Sequence, residues 1–283
     1  MTLATLGPAG THSEAAARSH ARIEGCSDPV LVFAPVEECL ALVAGGEVES
    51  AVVPAENLVD GPIGATYDAL VGQDPPVSVA DEVVLPIEHV LAVGQGEPSM
   101  PIRRVYSHPS ALNQCARNLR AAAPGAVWVP VGSTAEAAVL TAGGAPGDAA
   151  VCSPAAAAAH GLTVRLGNLG DHPGNHTRFF VCRRQPSTAR GNRRTLLAVH
   201  YGQNRPGQLY RTAGSFARRG VDLTSVHSRP YRGHPGRYVL FFEADGDPFA
   251  EEVAEALEEV RGEVGAGGGW LRVLGTLPGR RED

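Results

Sequence analysis

A polar, arginine-rich segment divides this chain into two parts whose apolar residues follow different patterns. The segment runs from Arg183 to Arg194, reads RRQPSTARGNRR, and contains almost no apolar side chain. Proline, glycine and charge in such a run are typical of a linker. A chain of 283 residues is also long enough for about two domains, each with its own core. We therefore expect one folded part before the segment and another after it.

Before the segment, short apolar runs alternate with stretches of helical periodicity. Strands that alternate with helices predict an α/β fold. The predicted strands are Val30 to Phe33, Ala51 to Pro54, Val127 to Val131, Ala149 to Cys152 and Phe179 to Cys182.

After the segment, from Leu196 to about Leu277, the pattern reads strand, helix, strand, strand, helix, strand. This order is βαββαβ. Each predicted helix has one apolar face, so both helices should cover the same side of a four-stranded antiparallel sheet. The opposite side of that sheet then needs a partner, which we expect to be a second copy of the chain. The apolar faces consist of Leu209, Ala213 and Phe216 in the first helix and Phe249, Val253, Leu257 and Val260 in the second.

The sequence contains no lysine, so all 24 residues in the Lys and Arg count are arginines. A chain without lysine forms no Schiff base through a side chain, attaches no pyridoxal phosphate and lacks the lysine of phosphate-binding P-loops. No G-x-S-x-G motif of serine hydrolases occurs, and no complete G-x-G-x-x-G follows a predicted strand. Any chemistry must therefore rest on hydroxyls, amides, arginines, carboxylates and histidines.

Charge and cysteine usage narrow the choice of partners and compartment. The formal net charge is -6 and the arginines form only short pairs, which argues against nucleic-acid binding. The first residues, MTLATLGPAG, do not have the pattern of a signal peptide, and no apolar run reaches the roughly 18 residues of a membrane span. Five cysteines without a C-x-x-C pair favour a reducing environment. We expect a cytoplasmic protein that binds neither nucleic acid nor a membrane.

Several predicted helices begin with a capping signal. Thr11 with Glu14, and Ser133 with Glu136, have the spacing of a capping box. A capped helix start presents backbone N–H groups and a partial positive charge, so several of them at one cleft predict a receptor for a small anion. Any one of these hydroxyls, taken alone, is more simply explained as a helix cap. The same signal, a hydroxyl before a proline, recurs at Ser107 to Pro109 and at Ser153 with Pro154.

The most informative stretch runs from Asp171 to Val181 and reads DHPGNHTRFFV. A polar turn leads directly into an apolar strand, which puts Asn175, Thr177 and Arg178 at the mouth of that strand. Taken by itself, the Thr177 hydroxyl would more simply bond to the backbone at a strand edge. An asparagine followed by Thr-Arg-Phe, however, resembles the hallmark of the prephenate dehydratase family.

The resemblance continues along nearly the whole chain, in order. Further blocks similar to that family are Leu6 to Thr11 with Ser13 and Glu14; Pro54 to Asn57 with Gly61, Thr66 and Asp68; Ser107 to Pro109 with Gln114 and Cys115; and Ser133 to Ala138. The βαββαβ part, with Pro206, Gly207, Leu209, Tyr210 and Ser228 to Pro230, resembles the ACT regulatory domain that follows in the same family.

The resemblance implies an α/β two-lobed catalytic domain, similar to periplasmic binding proteins, and an α+β ACT domain. The expected bounds are 1–184 for the catalytic domain, with a second lobe at about 78–160, 185–194 for a linker and 195–279 for the ACT domain. The implied activity is that of a lyase that converts prephenate to phenylpyruvate in phenylalanine biosynthesis. Phenylalanine is the implied effector, and the ACT domains imply a homodimer or homotetramer.

The resemblance implies no metal and no organic cofactor. His172 and His176 are four residues apart, but they lie on a predicted loop where Asp171 is the only nearby carboxylate. This arrangement argues against a metal pair.

The resemblance also assigns candidate site residues. Prephenate carries two carboxylates, so we expect Arg178 and the capped helix starts to hold it, and Thr177 to donate to the departing hydroxyl. Asn175 completes the expected catalytic set. The expected substrate-binding residues are Thr11, Ser13, Asn57, Ser107, His108, Gln114, Ser133, Thr134 and Phe179. The expected effector-binding residues are Gly207, Gln208, Leu209, Asp222, His227, Ser228 and Arg229.

Four positions depart from the family pattern. His12 replaces a usual phenylalanine and Leu58 a usual serine, which alters contacts expected at the substrate. Asp222 replaces asparagine and His227 replaces glutamate, which alters contacts expected at the effector. The alternatives are therefore an enzyme acting on a relative of prephenate, such as arogenate or an analogue from specialised metabolism, and a non-catalytic amino-acid sensor.

Overall fold

The computed structural model describes residues 1–74, 76–94, 100–186 and 193–279, and the chain divides into two compact units. Unit 1 comprises Met1–Pro35, Pro54–Ile63 and Val83–Phe179. Unit 2 comprises Val36–Val53, Gly64–Glu82 and Phe180–Asp283.

Helices and strands alternate along the first two thirds of the chain. In order, they are β1 (Thr2–Leu6), α1 (His12–Ile23), β2 (Val30–Ala34), α2 (Val36–Gly45), β3 (Ser50–Asn57), β4 (Gly61–Pro62), α3 (Gly64–Gly72), β5 (Ser78–Pro86), β6 (Val90–Val93), β7 (Arg104–Ser107), α4 (Pro109–Gln114), α5 (Ala116–Ala122), β8 (Val127–Pro130), α6 (Thr134–Ala142), β9 (Asp148–Cys152), α7 (Pro154–Ala159), β10 (Thr163–Leu166) and β11 (His176–Arg183). They continue with β12 (Arg193–His200), α8 (Gln208–Ala217), β13 (Leu223–Pro230), β14 (Tyr238–Asp245), α9 (Glu251–Gly265) and β15 (Trp270–Pro278).

Unit 1 has the predicted α/β character. Its five-stranded sheet has the order β10-β6-β9-β7-β8, in which β7 pairs parallel with both β8 and β9. Elsewhere in the unit β1 pairs parallel with β2. Leu91, Val105 and Leu119 belong to a buried cluster that joins this sheet to α5. Each of the five predicted strands lies within or overlaps an observed one, so the α/β prediction is confirmed.

Unit 2 contains the predicted βαββαβ arrangement. Its four strands are antiparallel neighbours in the order β13-β14-β12-β15. Phe216 of α8 and Leu257 of α9 pack with Phe242 of β14 in one buried cluster. Both helices therefore cover the same side of the sheet, as the sequence predicts.

Two residues expected on the apolar helix faces lie elsewhere. Phe249 is 62% exposed and precedes the first residue of α9, so the helical period does not extend to it. Leu209 is 47% exposed at the start of α8. The core position of this helix is filled by Phe216, near its C-terminal end.

The predicted linker is too long at its C-terminal end. Arg193 and Arg194 are the first residues of β12, and Arg194 is only 5% exposed. Its guanidinium pairs with Glu82 and, at 2.6 Å, with Glu243, so the charge that suggested a solvated segment is buried and compensated. Residues 187–192 of the predicted linker lie outside the described residues. The domain boundaries at 184 and 195 stay a prediction.

The sheet face opposite α8 and α9 is partly covered within unit 2 itself. The ring of His227 on β13 contacts Tyr67 of α3 edge-on, with 4.3 Å between ring centroids, and stacks on Phe241. Two residues further along β13, the Arg229 guanidinium forms a bidentate pair with Asp68, with distances of 2.8 and 2.7 Å. In this region α3 is the partner that the face needs, where the sequence analysis expected a second copy.

Within the described ranges, no helix joins the length and the apolar character that crossing a bilayer requires.

The ion pair of Asp68 should stabilise unit 2 in a pH-dependent way. The hydrogen bond from Arg229 holds the pKa of the Asp68 carboxyl below its usual value, and the Asp68 side chain is only 7% exposed. A lowered carboxyl pKa gives stability that is fully present above the unfolded pKa, at about 3.9, and is lost as the pH falls through the folded pKa.

We expect Asp68→Asn to lower the free energy of unfolding by about 1.5–3 kcal/mol at pH 7, because a charged hydrogen-bonded pair is lost. Urea unfolding at pH 7 and pH 3 checks this, since the difference between variant and parent should shrink at pH 3, where the carboxyl of the unfolded parent, with a pKa of about 3.9, binds a proton. A difference of equal size at both pH values would contradict it.

Candidate active site

Unit 1 contains a cavity of about 410 Å³ that gathers most of the expected substrate residues. Its wall is formed by the C-terminal ends of β1 and β3, by the N-terminal half of β11, and by residues at the starts of α1, α4 and α6. The expected residues that line it are Thr11, Ser13, Asn57, His108, Gln114, Ser133, Thr134, Thr177 and Phe179.

The alternation of β11 decides which of its residues reach the cavity. Successive side chains of a strand point to opposite sides, so Thr177 and Phe179 line the cavity while Arg178 faces away. The Arg178 guanidinium forms an ion pair with Glu56 Oε2 at 2.8 Å. The expectation that Arg178 contacts an anion in this cavity is therefore wrong in this structure.

Hydrogen bonds around Gln114 fix the orientation of its amide. Gln114 Nε2 lies 2.7 Å from Asp60 Oδ2 and 3.3 Å from Asn57 Oδ1. A carboxylate oxygen only accepts, so the Gln114 atom that faces Asp60 must be the NH₂ group, and the opposite atom must be the carbonyl oxygen. The Asp60 carboxylate also accepts from the Ser110 hydroxyl. Asn57 Oδ1 also accepts from the backbone N–H groups of Val59 at 2.9 Å and Asp60 at 3.1 Å, which fixes the orientation of the Asn57 amide independently of Gln114.

Two buried asparagines connect Gln114 to Thr177 by hydrogen bonds. Asn175 Nδ2 donates to Gln114 Oε1 at 3.0 Å, which turns Asn175 Oδ1 toward Asn57. Asn57 Nδ2 donates to Asn175 Oδ1 at 3.0 Å and to Thr177 Oγ1 at 2.9 Å. Thr177 therefore receives a hydrogen bond from the protein, and its own hydroxyl hydrogen is free for a group in the cavity. Asn175 does not line the cavity itself but forms hydrogen bonds with Asn57 and Gln114, which do.

Two capped helix starts face the cavity, as the sequence predicts. Thr11 Oγ1 accepts from the Glu14 backbone N–H, and Glu14 Oε2 accepts from Gly10 N at 2.7 Å. At α6, Ser133 Oγ accepts from Glu136 N at 3.0 Å. Because a helix start carries a partial positive charge, these two ends favour an anion beside them.

The Ser107 to Pro109 signal behaves differently from the expectation. His108, not Ser107, caps α4, because its Nδ1 accepts from Ser110 N at 3.3 Å. The Ser107 hydroxyl is buried and donates to Val151 O at 2.6 Å, which ties β7 to β9. Ser107 therefore holds the sheet together, and a direct substrate contact is not supported.

Two histidines of the cavity wall are neutral. Burial, with a smaller contribution from the charge of His89, lowers the pKa of His12 to about 4. Burial also lowers the pKa of His89, although the hydrogen bond to Gln114 and the nearby Asp60 oppose this. The two rings lie 6.1 Å apart, edge to face. At neutral pH they act as hydrogen-bonding groups without charge.

The sequence analysis missed Asp60, His89 and Ser110, which all line the cavity. Asp60 and Ser110 each lie within a few residues of a recognised block, and His89 lies at the start of an apolar strand. Proximity to those blocks was a usable signal for the first two. No sequence pattern indicated that His89 lines a cavity, because a single histidine beside an apolar run is usually a core residue.

Unit 2 contains a separate cavity of about 420 Å³ between the start of α8 and strands β13 and β14. Four of the expected effector residues line it: Gly207, Gln208, Leu209 and Ser228. The partial exposure of Leu209 follows from this position.

The other three expected effector residues lie outside that wall. Asp222 is exposed before β13, and its backbone oxygen accepts from Asp245 N. His227 and Arg229 point to the opposite side of β13 from Ser228, toward Tyr67 and Asp68. Direct contact of these three side chains with a ligand of the cavity is therefore not supported.

Among the residues that the structure describes, no group of three or more His, Cys, Asp and Glu side chains has a geometry suited to a metal ion. His176 Nδ1 instead lies 3.1 Å from Gly174 O.

Comparison with known proteins agrees with this geometry. Residues 3–187 match the family described as prephenate dehydratase. The chain is 36% identical to the prephenate dehydratase of Mycobacterium tuberculosis strain H37Ra over 284 residues, which covers 98% of this chain and 86% of that protein.

Two of the similar solved structures, each covering 99% of this chain, are the following. The prephenate dehydratase of Arthrobacter aurescens in complex with L-Phe has a TM-score of 0.85 at 33% identity, with 90% of that chain covered. GqqA, described as a quorum quenching acylase, has a TM-score of 0.80 at 27% identity, with 98% of that chain covered. The expected fold class is thus confirmed. From the family match over 3–187 and the identity along nearly its whole length, this chain belongs to the prephenate dehydratase family.

Proposed function

We propose that this protein is a prephenate dehydratase, a carbon–oxygen lyase that converts prephenate to phenylpyruvate. The observation that carries the proposal is the orientation of Thr177. Its oxygen accepts from Asn57 Nδ2 at 2.9 Å, so its hydrogen is available to a leaving group in the cavity. A hydroxyl that leaves a ring needs such a donor, because charge develops on its oxygen.

The reaction balances without a cofactor. The bond from ring carbon to hydroxyl breaks together with the bond from ring carbon to carboxylate, and the electrons of the second bond enter the ring. With one proton from solvent, the products are phenylpyruvate, carbon dioxide and water. Thr177 contributes a hydrogen bond to the departing oxygen and is not consumed.

The two carboxylates of the substrate are held by the helix starts. Thr11 and Ser13 at α1, and Ser133 and Thr134 at α6, bring hydroxyls and backbone N–H groups to the cavity wall. Among the described residues in that wall there is no arginine. The dianion is therefore held by oriented dipoles and not by a guanidinium.

The cavity of unit 2 supports the regulatory part of the proposal, in which phenylalanine binds between α8 and β13. The similar protein from Arthrobacter aurescens was solved in complex with L-Phe. The βαββαβ part serves as an ACT domain in this proposal. Its edge strand β13 has a free side in the described sheet, where a second copy pairs to form a homodimer or a homotetramer.

The likeness to an acylase does not favour a second function, because a shared fold hosts different activities. The test is to follow phenylpyruvate release from prephenate by absorbance, with arogenate and an N-acyl amide offered in parallel. Turnover of arogenate alone would reassign the substrate. Tight binding of prephenate without turnover of any of the three would favour a sensor.

Thr177→Ala should lower kcat for prephenate by about 10²-fold, because the donor to the departing oxygen is lost. Thr177→Ser should retain most of the activity, since it keeps both the hydroxyl hydrogen and the oxygen that accepts from Asn57. Steady-state kinetics of both variants checks this. An alanine variant as active as the parent would remove Thr177 from the mechanism.

Asp60→Asn should lower kcat by about tenfold, because an amide at this position can donate as well as accept and no longer dictates the orientation of Gln114. KM should not rise, since the change removes a negative charge from a cavity that binds a dianion. Ser110→Ala removes the other donor to Asp60 but leaves the Asp60 carboxylate in place. It should therefore have the smaller effect on kcat. A rise in KM with kcat unchanged would show that Asp60 acts on binding alone.

L-Phenylalanine should bind the unit 2 cavity, and Ser228→Tyr should abolish the heat of binding in calorimetry by filling it. The matched control is Asp222→Asn, which changes an expected effector residue outside the wall and should bind like the parent. Loss of binding in Asp222→Asn with retention in Ser228→Tyr would place the effector elsewhere.

A further inference from the structure

His89 has a contact that neither the motifs nor the proposed reaction explains. It lies just before β6, is only 4% exposed, and lines the unit 1 cavity. Its Nε2 lies 3.1 Å from Gln114 Oε1. Its backbone oxygen accepts from Leu169 N at 2.9 Å, which holds the residue in place.

The amide orientation determines the tautomer of His89. Because the Asp60 carboxylate requires the NH₂ group of Gln114 on one side, the Gln114 atom facing His89 is the carbonyl oxygen. The His89 Nε2 atom must then carry a hydrogen and donate it. The remaining ring nitrogen, Nδ1, is buried without a hydrogen-bond partner among the described residues. A neutral ring with this tautomer satisfies every described contact of Nε2.

Two donors thus meet at the Gln114 carbonyl oxygen, His89 Nε2 and Asn175 Nδ2 at 3.0 Å. A carbonyl oxygen has two lone pairs, so these two contacts use its full capacity. Without His89, one lone pair would open to the cavity and attract donors from water or substrate. The Gln114 amide, which lines the cavity, would then be held on its carbonyl side by Asn175 alone.

We propose that His89 is a positioning residue that donates to the Gln114 carbonyl oxygen and thereby holds the Gln114 amide in its place in the wall of the candidate active site. The inference rests on the proposed dehydratase function and adds a residue to it. His89 contributes one hydrogen bond, from one ring nitrogen, to one oxygen atom. The requirement is therefore for a donor at the Nε2 position and not for a charge or a proton-transfer group.

Two amide replacements separate this role from a merely structural one. The side-chain amide of His89→Gln reaches the region of Nε2 and can donate to Gln114, whereas the shorter amide of His89→Asn cannot. Both replacements are polar and carry no charge at any pH. We expect His89→Asn to lower kcat for prephenate by about tenfold with KM within about twofold, and His89→Gln to recover most of the parental kcat.

A double-mutant cycle tests whether the effect passes through Gln114. His89→Asn should cause no further loss of kcat in the Gln114→Leu background, because the oxygen that receives the hydrogen bond is already missing. Thermal unfolding of every variant accompanies the kinetics. If His89→Asn does not fold, His89→Gln still decides, since a soluble glutamine variant with parental stability and tenfold lower kcat overturns the proposal.

Three other outcomes bear on the inference. Equal kcat for the parent and His89→Asn would overturn it, and so would additive losses in the cycle. Equal recovery by asparagine and glutamine would mean that position 89 needs only a polar side chain, which also overturns it. A parent protein that leaves prephenate unchanged would instead refute the proposed function, so the two failures are distinguishable.

Discussion

The candidate site depends on a group of buried side-chain amides whose orientation is fixed by the Asp60 carboxylate and by the backbone N–H groups of Val59 and Asp60. Asparagine and glutamine side chains each present a donor on one side and an acceptor on the other, so a row of them has two self-consistent directions. The carboxylate beside Gln114 and the backbone N–H donors at Asn57 Oδ1 together permit only one. In this protein the permitted direction ends with an amide donating to Thr177 Oγ1, which makes the threonine hydroxyl a donor to the cavity.

The described wall of the cavity offers helix starts, and not an arginine side chain, to an anion. Arg178, next to Thr177, pairs with Glu56 outside the cavity, and the described wall contains the capped starts of α1 and α6. Helix ends are fixed in place by their caps and lose little conformational entropy when an anion binds, whereas a long arginine side chain must be ordered. Asp60 is the acidic residue of the wall, and its carboxylate already accepts from Ser110 and Gln114.

The sequence predicted what depends on local pattern and failed where the answer depends on which side a residue faces. The strands, the capping boxes at Thr11 and Ser133, and the βαββαβ order follow from short-range rules and are observed. The joint placement of Thr177 and Arg178 in one cleft contradicted the period of a strand, which should have sent one of them away. Asp60 and its partner Gln114 are 54 residues apart, and no local pattern links them. The assignment of Arg193 and Arg194 to a linker failed because the acidic partners of Arg194 are distant in sequence.

Strand β13 illustrates how the same period joins two surfaces of unit 2. Ser228 lines the cavity beside α8, while its neighbours His227 and Arg229 contact Tyr67 and Asp68 of α3 on the other side. The cavity wall on one side, and the stacking and the ion pair on the other, therefore belong to consecutive residues of one strand. Helix α3 begins directly after Ile63, which lines the unit 1 cavity. In the sequence, the helix that contacts β13 therefore follows directly after a residue of the candidate active site.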